Sequence, residues 1–252
     1  MKGIERVLPR SVLTPLRAAR DAFVGAWYRG TGRWCPVCGH SSRRFRGYGL
    51  VPREDAMCPR CGGLERHRLV WLYFARRTDL FDGRSKRVLH IAPEQCFEDR
   101  FRQRFGAGYL TADLLDPHVM ERMDVTDIHH PDESFDVIYC SHVLEHVPDD
   151  RLAMSELRRV LKRAGWAVLL VPITVEQTIE DPTVTDPAER ERLFGQHDHV
   201  RRYGPDYVDR LHEAGFDVVV TGVSDLLRGE DLSRMGLTRC DAAIYHCTRA
   251  VS

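Results

Sequence analysis

Long apolar runs are missing from this chain of 252 residues. The longest, WAVLLVPI at residues 166–173, is far shorter than the roughly 20 residues that a membrane-spanning helix needs. The amino terminus has basic residues, but no apolar stretch leads to the small-residue cleavage site of a secretory signal. We therefore expect a cytoplasmic protein without a transmembrane segment, in a reducing compartment where disulfides are rare.

A net charge is also missing, because 37 basic residues balance 37 acidic ones. The balance hides an asymmetry. Residues 1–86 hold 18 basic and 7 acidic residues, a net charge of +11, whereas residues 87–252 hold 19 and 30, a net charge of −11. A basic segment of this kind binds RNA, a nucleotide-linked sugar or an anionic membrane surface, or it docks on the acidic remainder of its own chain. The sequence leaves these alternatives open.

Four of the eight cysteines form two CxxC pairs, CPVC and CPRC, with 19 residues between them. Each pair places two thiolates on one tight turn, and two such turns complete a tetrahedral shell for Zn²⁺. The pattern predicts a structural zinc-ribbon module at residues 35–63, preceded by a basic helical segment at 1–34 and followed by a connecting helix at 64–86. The predicted zinc ligands are Cys35, Cys38, Cys58 and Cys61.

From residue 87 onward the chain alternates between strand and helix patterns. Strands separated by helices of this length predict an α/β fold, a Rossmann-like seven-stranded and mostly parallel sheet with helices on both faces. This domain is expected to span residues 87–252, and a ligand is expected beyond the carboxyl ends of its first strands. One helix is expected to begin at Asp149 or Asp150 and to end before Gly165. The predicted strands are 87–91, 108–112, a short one near 122–125, 134–140, 165–171, 216–222 and 242–248.

Glycine is missing from the loop after the first of these strands, which reads HIAPEQ. In dinucleotide sites glycines let the backbone approach a pyrophosphate. Ala92 is small enough for a close approach, and Pro93 suits the first position of a helix, where no amide is needed. The amides of that helix start are suited to a carboxylate, and Glu94 is suited to an ammonium group.

Polar residues follow the next strands in order. Asp113 ends the second strand, 23 residues after His90, where a carboxylate binds ribose hydroxyls in Rossmann-type sites. Asp124 lies in MDVTD, where a carboxylate can meet an adenine amino group. Ser141 and His142 then follow the strand FDVIYC.

At these residues the chain resembles the class I S-adenosylmethionine-dependent methyltransferases of the small-molecule type. The resemblance lies in FDVIYCSHVLEHV, LRRVLKRAGWAVLLVP and RYGPDYVDRLHEAGFDV. The family usually has an acid and then glycines where this chain has His90, Ala92 and Pro93. Because S-adenosylmethionine contains no phosphate, this departure argues against NAD more than against S-adenosylmethionine. The cofactor-binding residues that the resemblance implies are His90, Ala92, Glu94, Asp113, Asp124, Val125, Ser141 and His142.

The segment HVLEH, from His142 to His146, also matches the H-x-x-E-H pattern of inverted zinc peptidases. It follows a buried strand, and its residues fit the methyltransferase signature better. We therefore interpret His146 as a packed structural histidine.

A second histidine-rich segment, GQHDHVRRYG, lies between the fifth strand and the helix before the sixth, where this fold builds its substrate wall. His199 or His197 is the candidate base, since the pKa of histidine suits proton transfer near neutral pH. Arg201 and Tyr203 are the candidate substrate-binding residues. The alternative is an inert, solvated polar turn.

The leading hypothesis is a methyltransferase that acts on an O or N nucleophile of a small molecule, a metabolite or a sugar. The first alternative is an RNA substrate, because the amino-terminal module resembles that of ribosomal RNA methyltransferases with a zinc ribbon. The second is a non-catalytic zinc-ribbon protein with a degenerate cofactor site. A nicotinamide enzyme is disfavoured, since its phosphates would have no glycine cradle.

Overall fold

The structure is a computed structural model that describes residues 26–49 and 52–250. These residues fall into two compact units. The front unit holds the residues up to Leu72 together with Leu227–Cys240, and the sheet unit holds Tyr73–Leu226 together with the residues from Asp241 onward. Most of the predicted helical segment at residues 1–34 lies outside the described residues.

The predicted division into consecutive segments, with boundaries at residues 34, 63 and 86, differs from these units. Their boundary lies inside the first described helix, α1 at Glu65–Arg77, and Leu227–Cys240 returns to the front unit. Arg68 shows the physical reason, because its buried side chain donates to the carbonyls of Gly63 at 2.9 Å and of Gly236 at 3.1 Å. A contact between residues 168 positions apart cannot be predicted from a local sequence pattern.

The front unit contains two small antiparallel hairpins. Within each CxxC turn a glycine adopts a left-handed conformation, with φ of 70° at Gly39 and 73° at Gly62. The amides of these glycines donate to the carbonyls of Cys35 at 2.8 Å and Cys58 at 3.0 Å. The two turns therefore have the same backbone bonding. The hairpins pair β1 (Arg33–Cys35) with β2 (His40–Ser42), and β3 (Arg46–Tyr48) with β4 (Arg53–Met57).

The sheet unit contains a seven-stranded sheet in the order β12-β13-β9-β8-β5-β6-β7. Strand β13 is antiparallel to both of its neighbours, and the other neighbouring strands pair in parallel. The prediction of a Rossmann-like, mostly parallel sheet is confirmed. The strands are β5 (Val88–Ile91), β6 (Tyr109–Asp113), β7 (Glu121–Arg122), β8 (Phe135–Ser141), β9 (Leu161–Leu170), β12 (Phe216–Thr221) and β13 (Ile244–Arg249).

The remaining helices are short. On α2 (Gln95–Phe105), the rings of Phe97 and Phe101 pack against His90, with centroids 6.4 and 5.8 Å from the centroid of its ring. Among the described residues, no helix has both the length and the apolar character needed to cross a bilayer. These helices are α2 (Gln95–Phe105), α3 (Asp150–Val160), α4 (Pro187–Phe194), α5 (Tyr207–Glu213), α6 (Val223–Leu226) and α7 (Glu230–Arg234). Two short strands, β10 (Ile179–Glu180) and β11 (Arg201–Arg202), form a separate pair.

The helix predicted to end before Gly165 ends earlier. Helix α3 ends at Val160 and β9 begins at Leu161, so Gly165 lies inside the strand. A Cβ added to Gly165 would lie 2.7 Å from the carbonyl oxygen of Asp136 on the neighbouring strand β8. The glycine therefore serves a close approach between strands, not a helix end.

Candidate functional site

The predicted cofactor residues lie at one edge of the sheet. Strand β5 pairs in parallel with β6 on one side and with β8 on the other, so the carboxyl ends of the three strands are neighbours. We call this the cofactor edge, since it is the position at which open α/β sheets bind their ligands. It gathers three predicted groups of residues: 90–94, Asp113, and Ser141 with His142. The role of each residue stays a prediction.

Two residues at the cofactor edge adopt a left-handed backbone without being glycine. Ala92 has φ of 48° and His142 has φ of 57°. The amide of Ala92 donates to the carbonyl of Ala112 at 2.8 Å, and the amide of His142 donates to that of Leu170 at 2.9 Å. Since this conformation costs an L residue roughly 1–2 kcal/mol, the surrounding structure imposes it. The first loop thus keeps the backbone shape of glycine without the glycine.

We predict that Ala92→Gly raises the free energy of unfolding by about 0.5–1 kcal/mol, because the relief of strain exceeds the entropy that glycine adds to the unfolded chain. Ala112→Gly is the matched control. Ala112 is fully buried in the neighbouring strand and has no positive φ, so this change should lower the same quantity by about 0.5–1 kcal/mol. Urea denaturation measures both. Equal losses in the two variants would show that the loop is not strained.

Glu94 lies inside the loop and has partners on both carboxylate oxygens. Oε2 lies 2.7 Å from Nε2 of His90, and Oε1 accepts the hydroxyl of Tyr139 at 2.9 Å. Nδ1 of His90 lies 2.7 Å from the hydroxyl of Tyr109. Burial raises the pKa of Tyr139 well above its usual value, so its hydroxyl stays a donor. This network holds Glu94 and the loop in place. The contact of Glu94 with a cofactor ammonium stays a prediction.

The predicted carboxylates after β6 hold their own loops. Oδ1 of Asp113 accepts the backbone amides of residues 115 and 116, at 2.7 and 2.8 Å. Oδ1 of Asp124 accepts the hydroxyl and the amide of Thr126, at 2.7 and 2.8 Å, and these bonds lower the pKa of Asp124. Asp124 is exposed, whereas its neighbour Val125 is buried. The hydrogen bonds to Oδ1 thus fix the orientation of the Asp113 carboxylate without a ligand.

A histidine–glutamate cluster follows β8. The carboxylate of Glu145 is buried, and its Oε1 lies 3.1 Å from Nδ1 of His142. The rings of His146 and His199 meet edge to face, with centroids 4.6 Å apart. Glu145, His146 and His199 each offer one ligand atom, and these atoms lie within 4.8 Å of one another. Separate roles were predicted for these histidines, and none for Glu145.

The two candidate bases occupy different environments. His197 is exposed, whereas His199 is buried with its Nδ1 3.2 Å from the carbonyl oxygen of Phe194. Burial lowers the pKa of His199, so its ring is neutral near pH 7. The prediction that one of them removes a proton stays untested.

Arg201 and Tyr203, the predicted substrate-binding residues, have internal partners. Arg201 donates to the carbonyls of Leu144 and Pro148, each at 2.8 Å, and to that of Val147. The hydroxyl of Tyr203 donates to Asp150 at 2.6 Å. Both side chains are buried. They hold the loop after β8 in place, which is a positioning role that does not require contact with a substrate.

Three charged residues for which no functional role was predicted complete this arrangement: Asp150, Glu180 and Arg210. Asp150 is buried and lies 3.0 Å from Arg210, which also bonds to Glu180 at 2.8 Å. Glu180 in turn lies 3.0 Å from Arg201. The hydrogen bond from Arg210 is the main reason that the pKa of Glu180 falls to about 2. Because these partners lie 21 to 60 positions apart, no local motif marks them.

The four cysteines of the CxxC pairs gather in the front unit. Their sulfur atoms all lie within 4.8 Å of one another. Sγ of Cys35 lies 3.7 Å from that of Cys61, and Sγ of Cys38 lies 3.8 Å from that of Cys58. A tetrahedral zinc ion with bonds of about 2.3 Å requires sulfur atoms about 3.8 Å apart. The cluster therefore fits the metal that the spacing predicts.

Comparison with known proteins gives a family match for part of the chain. Residues 78–169 match the family model described as a methyltransferase domain, whereas no curated protein matches the chain. The structure of the cyclase SpnF has a TM-score of 0.50 and 15% identity, over 86% of this chain and 92% of that one. At such an identity the similarity shows the fold alone, and the name of that protein shows that this fold also carries other reactions.

Two methyltransferase structures are less similar. One is an S-adenosylmethionine-dependent methyltransferase from Mesorhizobium loti, with a TM-score of 0.46 and 17% identity over 66% of this chain and 91% of that one. The other is the 1,6-didemethyltoxoflavin-N1-methyltransferase of Burkholderia thailandensis, with a TM-score of 0.46 and 14% identity over 69% and 75% of the two chains. Residues 78–169 thus match the model of a methyltransferase domain, and they contribute strands to a Rossmann-like sheet.

Proposed function

We propose that the sheet unit transfers the methyl group of S-adenosylmethionine to an oxygen or nitrogen of a small molecule, a metabolite or a sugar, and that the front unit holds a structural zinc ion. The observation that carries the first part is the cofactor edge. There Ala92 takes the backbone conformation of the missing glycine, and Asp113 ends the adjacent strand with a fixed carboxylate.

The residues of the cofactor edge fit S-adenosylmethionine better than a dinucleotide. A Cβ at position 92 is compatible with an adenosine and an amino-acid group, which need no backbone cradle for phosphates. Asp113 would hold the ribose hydroxyls, since its Oδ1 is already oriented by the amides of residues 115 and 116. Asp124, exposed after β7, would face the adenine.

The chain's own residues contribute alignment and exclusion of water. When bound, S-adenosylmethionine supplies a methyl group on a positively charged sulfur. An in-line displacement then requires a nucleophile held in near-attack geometry. Arg201 and Tyr203 support this as positioning residues, because they fix the backbone of residues 144–148 next to the cofactor edge.

Titration calorimetry with S-adenosylmethionine tests the proposal. We expect Asp113→Asn to weaken binding about 10- to 100-fold, because one or two hydrogen bonds to a carboxylate, each about 1.5–3 kcal/mol, become bonds to a neutral amide. The amide oxygen can still accept the loop amides, so the loop should keep its shape. Asp116→Asn is the control and should bind normally, because Asp116 is exposed in the same loop and its side chain accepts the amide of His118, which an amide oxygen can also do. Absent binding by the folded, zinc-loaded wild type would refute the cofactor assignment.

An RNA substrate is the second candidate, and the observation that favours it is the net charge of +11 on residues 1–86. Methyl transfer can be assayed with radiolabelled cofactor against a metabolite collection and against total RNA at increasing salt. Phosphate contacts release counterions, so RNA methylation should weaken steeply with salt, whereas transfer to a neutral metabolite should not. A protein that binds zinc but no cofactor would instead support the non-catalytic alternative.

A further inference from the structure

Two buried polar atoms of the histidine–glutamate cluster have no hydrogen-bond partner among the described residues: Oε2 of Glu145 and Nε2 of His199. The two residues are only 1% and 6% exposed. Leaving one such atom without a partner costs roughly 1–3 kcal/mol. Both atoms have lone pairs, so a single cation shared between them would satisfy both.

His146 completes a set of three ligands. One ligand atom from each of Glu145, His146 and His199 lies within 4.8 Å of the other two. The two imidazole rings stand edge to face at 86°, with centroids 4.6 Å apart. The three side chains come from two segments, one after β8 and one before β11.

A neighbouring polar group orients each of the three side chains. Nδ1 of His199 lies 3.2 Å from a carbonyl oxygen, which accepts only from a protonated nitrogen, and Nε2 is thereby left with the lone pair. Nδ1 of His146 lies 3.3 Å from a carboxylate oxygen of Asp198, and His142 holds Oε1 of Glu145. Metal-binding histidines usually donate their second N–H to a carbonyl or a carboxylate in this way.

The two segments are also fixed to each other. The amide of Val200 donates to the carbonyl of Glu145 at 2.9 Å. Arg201, the next residue, donates to the carbonyl of Leu144, which begins the 3₁₀ turn Leu144–His146, and to that of Pro148 beyond it. The ligands are therefore positioned before any ion binds, which lowers the cost of assembling the site.

We propose that Glu145, His146 and His199 bind a divalent first-row transition-metal ion beside the cofactor edge. Two imidazoles and one carboxylate suit Zn²⁺, Fe²⁺ or Co²⁺. Three protein ligands leave at least one coordination position open, unlike the closed set of four cysteines. The site does not depend on methyl transfer. It replaces the interpretations of His146 as a structural residue and of His199 as a base, since the lone pair of Nε2 serves the metal.

Cobalt titration of the full, zinc-loaded chain tests the proposal without any cofactor. We expect one Co²⁺ ion per chain in addition to the zinc, with d–d absorption but no thiolate-to-metal charge-transfer band, because its donors are nitrogen and oxygen. His199→Gln should weaken the binding of this ion more than about 100-fold, since removal of an outer-shell partner alone costs 10–100-fold. His197→Gln is the matched control: this exposed neighbour should leave binding unchanged.

A second variant guards against misfolding of His199→Gln, whose side chain is buried. Asp198, whose side chain is 51% exposed, supports His146 from outside the cluster, so Asp198→Asn should fold normally and weaken cobalt binding about 10-fold. The proposal is overturned if the zinc-loaded wild type takes up no further ion. It is equally overturned if the ion shows thiolate ligation, or if Asp198→Asn and a folded His199→Gln bind cobalt like the wild type.

Discussion

Removing zinc from the four-cysteine cluster is expected to unfold the front unit. Its strands are three to five residues long and pair only as two-stranded hairpins. Isolated hairpins of this size are marginally stable in water, whereas a structural zinc ion contributes on the order of 10 kcal/mol to folding. The metal is thus expected to be the main source of stability for this unit.

Hydrogen exchange of residues 33–57, with and without a strong chelator, measures the effect. Protection of these amides should disappear when zinc is removed, and Cys58→Ser should show the same loss without chelator. Cys240→Ser is the control, because Cys240 belongs to the same unit but not to the cluster. The zinc content of this variant should stay at the wild-type level. Unchanged protection in the metal-free protein would mean that the hairpins are stable without zinc.

Replacing Asp150 with alanine is expected to lower the free energy of unfolding by about 3–5 kcal/mol, the usual cost of removing one partner from a buried ion pair. The carboxylate of Asp150 accepts the hydroxyl of Tyr203 at 2.6 Å and lies 3.0 Å from Arg210 and 3.7 Å from Arg201. Without it, two buried guanidinium groups share the single carboxylate of Glu180. The loss therefore comes mainly from two buried positive charges that share one negative charge.

The neighbouring residue Asp149 provides the matched control. It is exposed, and its Oδ1 caps helix α3 by accepting the amide of Leu152 at 2.9 Å. Asp149→Ala should cost only about 1 kcal/mol, the usual value for a lost helix cap. Chemical denaturation of both variants, monitored by circular dichroism, measures the difference. Similar losses would show that the buried network contributes little to stability.

The sheet and its cofactor edge were predictable because they depend on local periodicity. Strand and helix patterns of ordinary length imply parallel pairing, and parallel pairing alone brings Asp113 and His142 to the same edge. The cluster of four cysteines was predictable for a similar reason, since two fixed spacings define its ligands. In both cases information within a short segment determines the result.

The remaining features depend on pairs of residues far apart in the chain. Arg201 was predicted to bind the substrate, which stays a prediction, whereas its ion pairs with Asp150 and Glu180 could not be predicted from a local pattern. The left-handed conformation of Ala92 was likewise not visible, because alanine seldom adopts it. Gly165 was assigned to a helix end since glycine is common there, whereas its contact lies on the next strand.

The ion pairs and hydrogen bonds of Arg201 have a practical consequence for protein engineering. Glu180 and Arg201 face each other across the β10–β11 pair, at the two ends of the intervening segment. Residues 182–192, which include most of α4, lie between these anchor points and are largely exposed, whereas Phe194 at the end of α4 is buried and should be kept. This stretch can therefore be exchanged as a unit. Its exchange for unrelated sequences, in a library aimed at new acceptors, should leave the scaffold beneath it intact.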